Sequence, residues 1–185
     1  MKQSGLLVAS SAHLARRARE VLALLPALTG APIHLERAAG LHDRRGPVHA
    51  GSFLRRRRIA FDCTPAEFPR ILVHELFHFV WLRAGNPARL AYEQVLVAEI
   101  RARARGELGW SAESRKLALA RQDVARRTLR WRQYCCESFC DTAAWLYAGL
   151  HQHEEFTLAA RHAARRRAWF HSAFRAAISG PGLSI

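Results

Sequence analysis

Lysine is almost missing from this 185-residue chain: Lys2 and Lys116 stand against 27 arginines. With 29 basic and 15 acidic residues the net charge is +14, nearly all of it guanidinium. A field of that size attracts nucleic acid, acidic proteins or anionic surfaces without choosing among them. No apolar run approaches the ~20 residues of a membrane-spanning helix, which excludes a helical membrane protein. The opening "MKQSGLLVASSAHLARRARE" holds only the run from Leu6 to Ala9, too short for a secretory leader. No apolar stretch follows Arg16-Arg17, so a twin-arginine signal is not expected, and the expected location is cytoplasmic. The four cysteines would then be reduced. Cys63 stands alone, and Cys135, Cys136 and Cys140 lack the paired C-x-x-C spacing of a zinc ribbon, so they read as small packing residues. Repeats are absent too. Half the residues are hydrophobic, which suits one folded domain over residues 1–185.

The pattern along the chain predicts an α+β fold: mostly helical, with a small three-stranded sheet packed on one central helix. Leu14, Ala18, Val21, Leu22 and Leu25 share a face of a first amphipathic helix. Pro26, Gly30 and Pro32 end it. Ile33 to Arg37 alternates as a short strand does, and "GPVHAGSFLRRRRIAFD" reads as one or two strands with Ile59 and Phe61 turned inwards. Thr64-Pro65-Ala66-Glu67 is a helix start, with Pro69 moving the first regular turn later, and Gly85-Asn86-Pro87 closes that helix. A helical insertion is expected at about 88–125, broken around "GELGWSAES", where Ser111 and Ser114 can cap the next helix. A further helical run is expected to end at Gly149, and a basic helix at about 155–178 precedes a frayed "SGPGLSI" tail.

Inside the central helix lies His74-Glu75-Leu76-Phe77-His78, H-E-x-x-H. Residues four apart sit one turn apart on the same helical face, so both imidazoles can reach one ion. Glu75 is placed to meet a water on that ion. A pentapeptide can arise by chance, but two histidines on a helix flanked by Ile71, Leu72, Leu76, Phe79 and Val80 need hydrogen-bond partners or a metal. A catalytic zinc takes three protein ligands and keeps a place for water. "CCESFCDTAAW" offers Glu137, with Asp141 four residues on to orient a ligand histidine. Glu99 in "YEQVLVAEIRARARG" is the rival third ligand, but Arg103 stands where it would need an acid. For an oxyanion donor Tyr134 is one turn before Glu137; Tyr147, His151 and His153 are other candidates.

His74-Glu75-x-x-His78 followed by Glu137-x-x-x-Asp141 resembles the gluzincin metallopeptidases, whose downstream glutamate often sits in an E-x-x-A-D setting; Cys140 stands at the alanine here. The order of helix, short strands, H-E-x-x-H helix and glutamate helix is similar to the compact minigluzincins, which include ImmA/IrrE-type and SprT-like proteases. The resemblance covers about residues 33–149. It implies one Zn2+ per chain on His74, His78 and Glu137, Glu75 as general base, and hydrolysis of a protein or peptide substrate. That peptide would pair with a strand within "GSFLRRRRIAFD". ImmA/IrrE-type relatives imply cleavage of a DNA-binding regulator, SprT-like ones action on DNA-bound proteins. The 58 residues between His78 and Glu137 exceed the usual gap in the compact members.

"LRRRRIAFD" and "RHAARRRAWFHSAFR" are the densest basic stretches. Arg165 to Arg167 beside Trp169, Phe170 and Phe174 could contact phosphate and stack a base, or form a helix with its apolar face in the core and its arginines in water. The alternative to an enzyme is therefore a basic binding module for nucleic acid or an acidic protein. Oligomeric state is left open.

Overall fold

The structure is a computed structural model describing residues 6–43 and 46–185; residues 1–5, the start of the segment read for a leader, lie outside it. Four strands form the main sheet in the order β1 (Leu7–Ala9), β3 (Ile33–Arg37), β7 (Arg58–Phe61), β6 (Ala50–Phe53). β1 and β3 are parallel, as are β3 and β7, while β6 returns antiparallel to β7 and forms the sheet's edge; a short antiparallel pair, β4 (His42–Asp43) and β5 (Gly46–Pro47), precedes β6. The fold is α+β as expected, but the sheet has four strands rather than three. The extra one is β1, the Leu6–Ala9 run, too short for its period to be seen. Ile33, Leu35, Ile59 and Phe61 are buried on the sheet's covered side, as period-2 alternation requires.

α1 (Ala12–Leu22) joins β1 to β3 in a crossover, its N-terminus capped where Ser11 Oγ accepts from the Leu14 amide. Its buried face is Leu14, Ala18, Val21 and Leu22. α2 (Phe68–Arg83) follows Thr64, whose Oγ1 accepts from the Glu67 amide. α2 buries ten residues, including His74 and Glu75, as suits a helix that is apolar on almost every side. Gly85, at φ +69, breaks the chain before α3 (Gly85–Arg101), a conformation glycine adopts at little cost. After α4 (Trp110–Leu117) and α5 (Arg121–Ala125), α6 (Leu129–Tyr147) runs against α2, and α7 (Ala160–Ala173) closes the core. α4 begins two residues earlier than capping by Ser111 predicts; Gly109 is its N-cap, and Ser114 Oγ donates to the Ser111 carbonyl.

Two expectations fail. The tail is not frayed: β8 (Leu183–Ser184) pairs in parallel with β2 (Leu28–Thr29), and Leu183 and Ile185 are buried. Apolar ends can dock wherever backbone partners are free, and the Leu183 amide donates to the Ala27 carbonyl at 2.7 Å. The second fails only in part: the basic helix does turn Arg161, Arg165 and Arg167 to solvent with its apolar face in the core, but not every arginine is solvated. Arg166 is fully buried, and Phe170 packs on Phe139 with ring centroids 4.8 Å apart. Burying such a ring contributes about 2–3 kcal/mol. Among the described residues no helix is long and apolar enough to cross a membrane.

Candidate metal centre

A cleft of about 740 Å³ runs between the edge strand β6 and helix α4. Its floor is His74, Glu75 and His78 from α2 with Glu137 from α6. A spacing of four sets the two imidazoles one above the other, with ring centroids 5.0 Å apart. Glu137 Oε2 lies 3.2 Å from His74 Nε2 and 3.9 Å from His78 Nε2. Ligands at ~2.0–2.2 Å around a tetrahedral zinc stand about 3.4 Å from one another, a spacing close to that of Glu137 from each imidazole.

The opposite ring nitrogens are used. His74 Nδ1 is 2.7 Å from Asp141 Oδ1, and His78 Nδ1 is 3.4 Å from Cys136 Sγ. A proton on His74 Nδ1, donated to Asp141, leaves Nε2 bare for a ligand. Asp141 is itself held: its Oδ2 accepts from the Ala112 amide in α4 at 2.8 Å. That approach is why residue 109 is glycine, since a Cβ there would sit 2.3 Å from the Asp141 carboxyl carbon. His74, His78 and Cys140 also form a group with possible ligand atoms within 4.8 Å of one another. Glu137 is the better third donor, because it faces both Nε2 atoms, whereas the buried Cys140 hydrogen-bonds Cys136 behind the rings. Cys135 and Cys140 are buried in the core as packing residues, as expected, but Cys136 also touches a site histidine.

Charge points the same way. Glu75, Glu137 and Asp141 surround two imidazoles, and among the described residues the one arginine or lysine paired with them is Arg115, whose Nη2 is 2.9 Å from Glu137 Oε1. With neutral imidazoles the group carries two surplus negative charges, the amount a divalent cation offsets. Without one, protons take that role. Burial would lower both histidines, but Asp141 and Glu137 push His74 well above its ordinary value. Cys136, Glu137 and Glu75 likewise raise His78 to about 9. Against its burial, Glu137 is drawn down to about 2 by His74, His78 and Arg115. Glu75 is 8 % exposed and accepts from Ser52 Oγ in β6 at 2.5 Å, so the sheet edge and the acid are tied together.

The remaining candidates go elsewhere. Tyr134 is not an oxyanion donor: it is fully buried and gives its hydroxyl to Glu107 at 2.6 Å. Glu99 is no rival ligand, being buried against Arg166 at 2.6 Å. Tyr147 stacks on Phe77, His153 meets Glu67 at 3.1 Å, and His151 lines a different pocket. Residues missed in the sequence are Ser52, Trp110 and Arg115. Ser111, Ser114 and Arg115 share one face of α4, so a three–four spacing was there to be read; only packing shows that this face looks into the cleft. Comparison of the chain with protein-family models, curated protein sequences and solved structures gave no match, so the chemistry rests on this geometry.

Proposed function

We propose that this protein is a zinc-dependent endopeptidase, with His74, His78 and Glu137 as ligands and Glu75 as general base. The observation that carries this is the meeting of His74 Nε2, His78 Nε2 and Glu137 Oε2 beside Glu75 in the floor of an open cleft. Held there, zinc would supply an activated water and polarise the scissile carbonyl. Glu75, positioned by Ser52, would be the group to accept a proton from an attacking water and pass it to the leaving nitrogen. Asp141 fixes the His74 ring. Arg115 takes the part first given to Tyr134: its guanidinium is anchored on the Ser111 carbonyl and Glu137 at the cleft wall, where negative charge would develop.

A peptide segment would lie along β6, whose outer edge has no strand partner among the described residues, and add its backbone to the sheet. Trp110, 62 % exposed on the opposite wall, would meet a side chain of that peptide. The test is elemental analysis of the purified protein beside His74→Ala, Glu137→Ala and Glu75→Gln, with hydrolysis of a mixed fluorogenic peptide library. About one zinc per chain, lost from the first two variants and kept without hydrolysis in the third, is the expected result. A native protein that takes up no metal when zinc is supplied would end the proposal.

A further inference from the structure

The dense basic stretches divide between arginines already committed and Arg55, Arg56 and Arg165, which are exposed to solvent. Arg57 is spent on the Pro32 and Ile185 carbonyls, Arg58 on Glu36 and the Phe53 ring, and Arg166 is buried. Phe170 and Phe174 are buried, and Trp169 packs on Tyr92, so they offer no open platform for a base. Instead Arg89 near the start of α3, Arg126 and Arg127 after α5, and Arg132 in the first turn of α6 line one pocket of about 640 Å³ with Trp81 and Asn86. That volume lies in the range of small-molecule sites, ~300–1,000 Å³.

One carboxylate shares the wall. Glu93 is gripped by Arg127 at 2.8 and 2.9 Å and accepts from Trp131 Nε1. Four guanidiniums and one carboxylate leave three positive charges. The exposed guanidiniums of Arg126 and Arg132 make no hydrogen bond or ion pair among the described residues. Arg89 donates to the Leu82 carbonyl at 3.1 Å, while its Nε is buried without an acceptor. Like charges held together with donors to spare repel one another, and a compact polyanion relieves that repulsion while accepting the donors.

We propose that this pocket binds a phosphorylated ligand of nucleotide size, its phosphates held by Arg89, Arg126 and Arg132. The site does not depend on the metal centre. It is tested by calorimetric titration of the full chain with pyrophosphate and with adenosine triphosphate, beside a short single-stranded oligonucleotide. Saturable one-to-one binding of pyrophosphate or the nucleotide is expected, weakened about tenfold or more in Arg126→Gln/Arg132→Gln, the worth of a lost charge-assisted hydrogen bond. Arg165→Gln, an exposed arginine outside the pocket, should leave it unchanged. Absence of binding overturns the proposal, as does equal weakening by Arg165→Gln. Binding of the oligonucleotide alone, reduced alike by both sets of substitutions, overturns it in favour of a diffuse nucleic-acid surface.

Discussion

Helix α6 supplies side chains to two clusters of charge that solve the problem of buried ions in opposite ways. In one, Arg166 meets Glu99 and Glu107 at 2.6–3.2 Å, Lys116 adds a second cation to Glu107, and Tyr134 donates to the same carboxylate. Two cations face two anions, all three nitrogens of the fully buried Arg166 find acceptors, and none of these residues lines the cleft that holds the second cluster. In the other, Glu137 and Asp141 join Glu75 around two imidazoles with Arg115 as the paired cation, beside an open cleft. The first cluster is complete as it stands. The second needs a proton or a metal ion before its nitrogens and oxygens can face one another. Both pair the same kinds of residue, so what separates a structural ion network from a binding site is the charge left over and the space beside it.

The largest way to break the comparison is to unbalance the closed cluster. Arg166→Met leaves two buried carboxylates with one cation and is expected to cost about 3–5 kcal/mol, read as a drop in thermal midpoint. Adding Glu99→Gln and Glu107→Gln should restore part of the loss, because the uncompensated charge goes with them. If Arg166→Met lowered zinc content per folded molecule as much as His74→Ala, the two clusters would not be separate units.

The same kind of change in the open cluster should leave the fold standing. Glu75→Gln is expected to reduce peptide hydrolysis by about 10²–10⁴-fold with metal content unchanged, measured on one preparation. Asp141→Asn comes next. It keeps the size of the side chain but presents a neutral amide to His74, and should weaken zinc affinity by about 10–100-fold in a chelator competition. Gly109→Ala should act on the same property from the other side, by pushing α4 away from the Asp141 carboxylate. Zinc affinity that was unmoved in both would show that Asp141 serves only to dock α4.

What the sequence disclosed follows the same division. The open cluster was legible because its residues obey a local rule: His74 and His78, and Glu137 and Asp141, are each one helical turn apart, and turns are visible in a sequence. The first helix and the strand at Ile33–Arg37 were legible for the same reason, through their periods. The closed cluster was not. Glu99, Glu107 and Arg166 lie on a helix, a loop and another helix, and their pairing is a property of packing alone. Glu99 was therefore weighed as a ligand and Arg166 as a nucleic-acid contact. The burial of Tyr134 and the docking of Leu183 beside Leu28 belong to the same long-range class.

The smallest effect, and the one that sharpens the comparison most, is in pH. In zinc-stripped protein the imidazoles of His74 and His78 are held above their ordinary value, so their protons stabilise the fold. That contribution is fully present below about 6.5 and is lost as pH rises through the folded-state values, about 9 for His78. Zinc needs both imidazoles neutral, and at lower pH it must displace those protons. The gap in thermal midpoint between zinc-loaded and stripped protein should therefore widen from pH 6.5 towards 9. The Arg166 cluster contributes nothing to this slope. Against its burial, Arg166 holds the Glu107 carboxyl below its ordinary range, so that stabilisation is present above about 4.5 and lost only as the solution turns acid. A gap that stayed flat from pH 6.5 to 9, or that persisted unchanged in His74→Ala, would place the zinc elsewhere and leave the open cluster as a pair of protonated histidines.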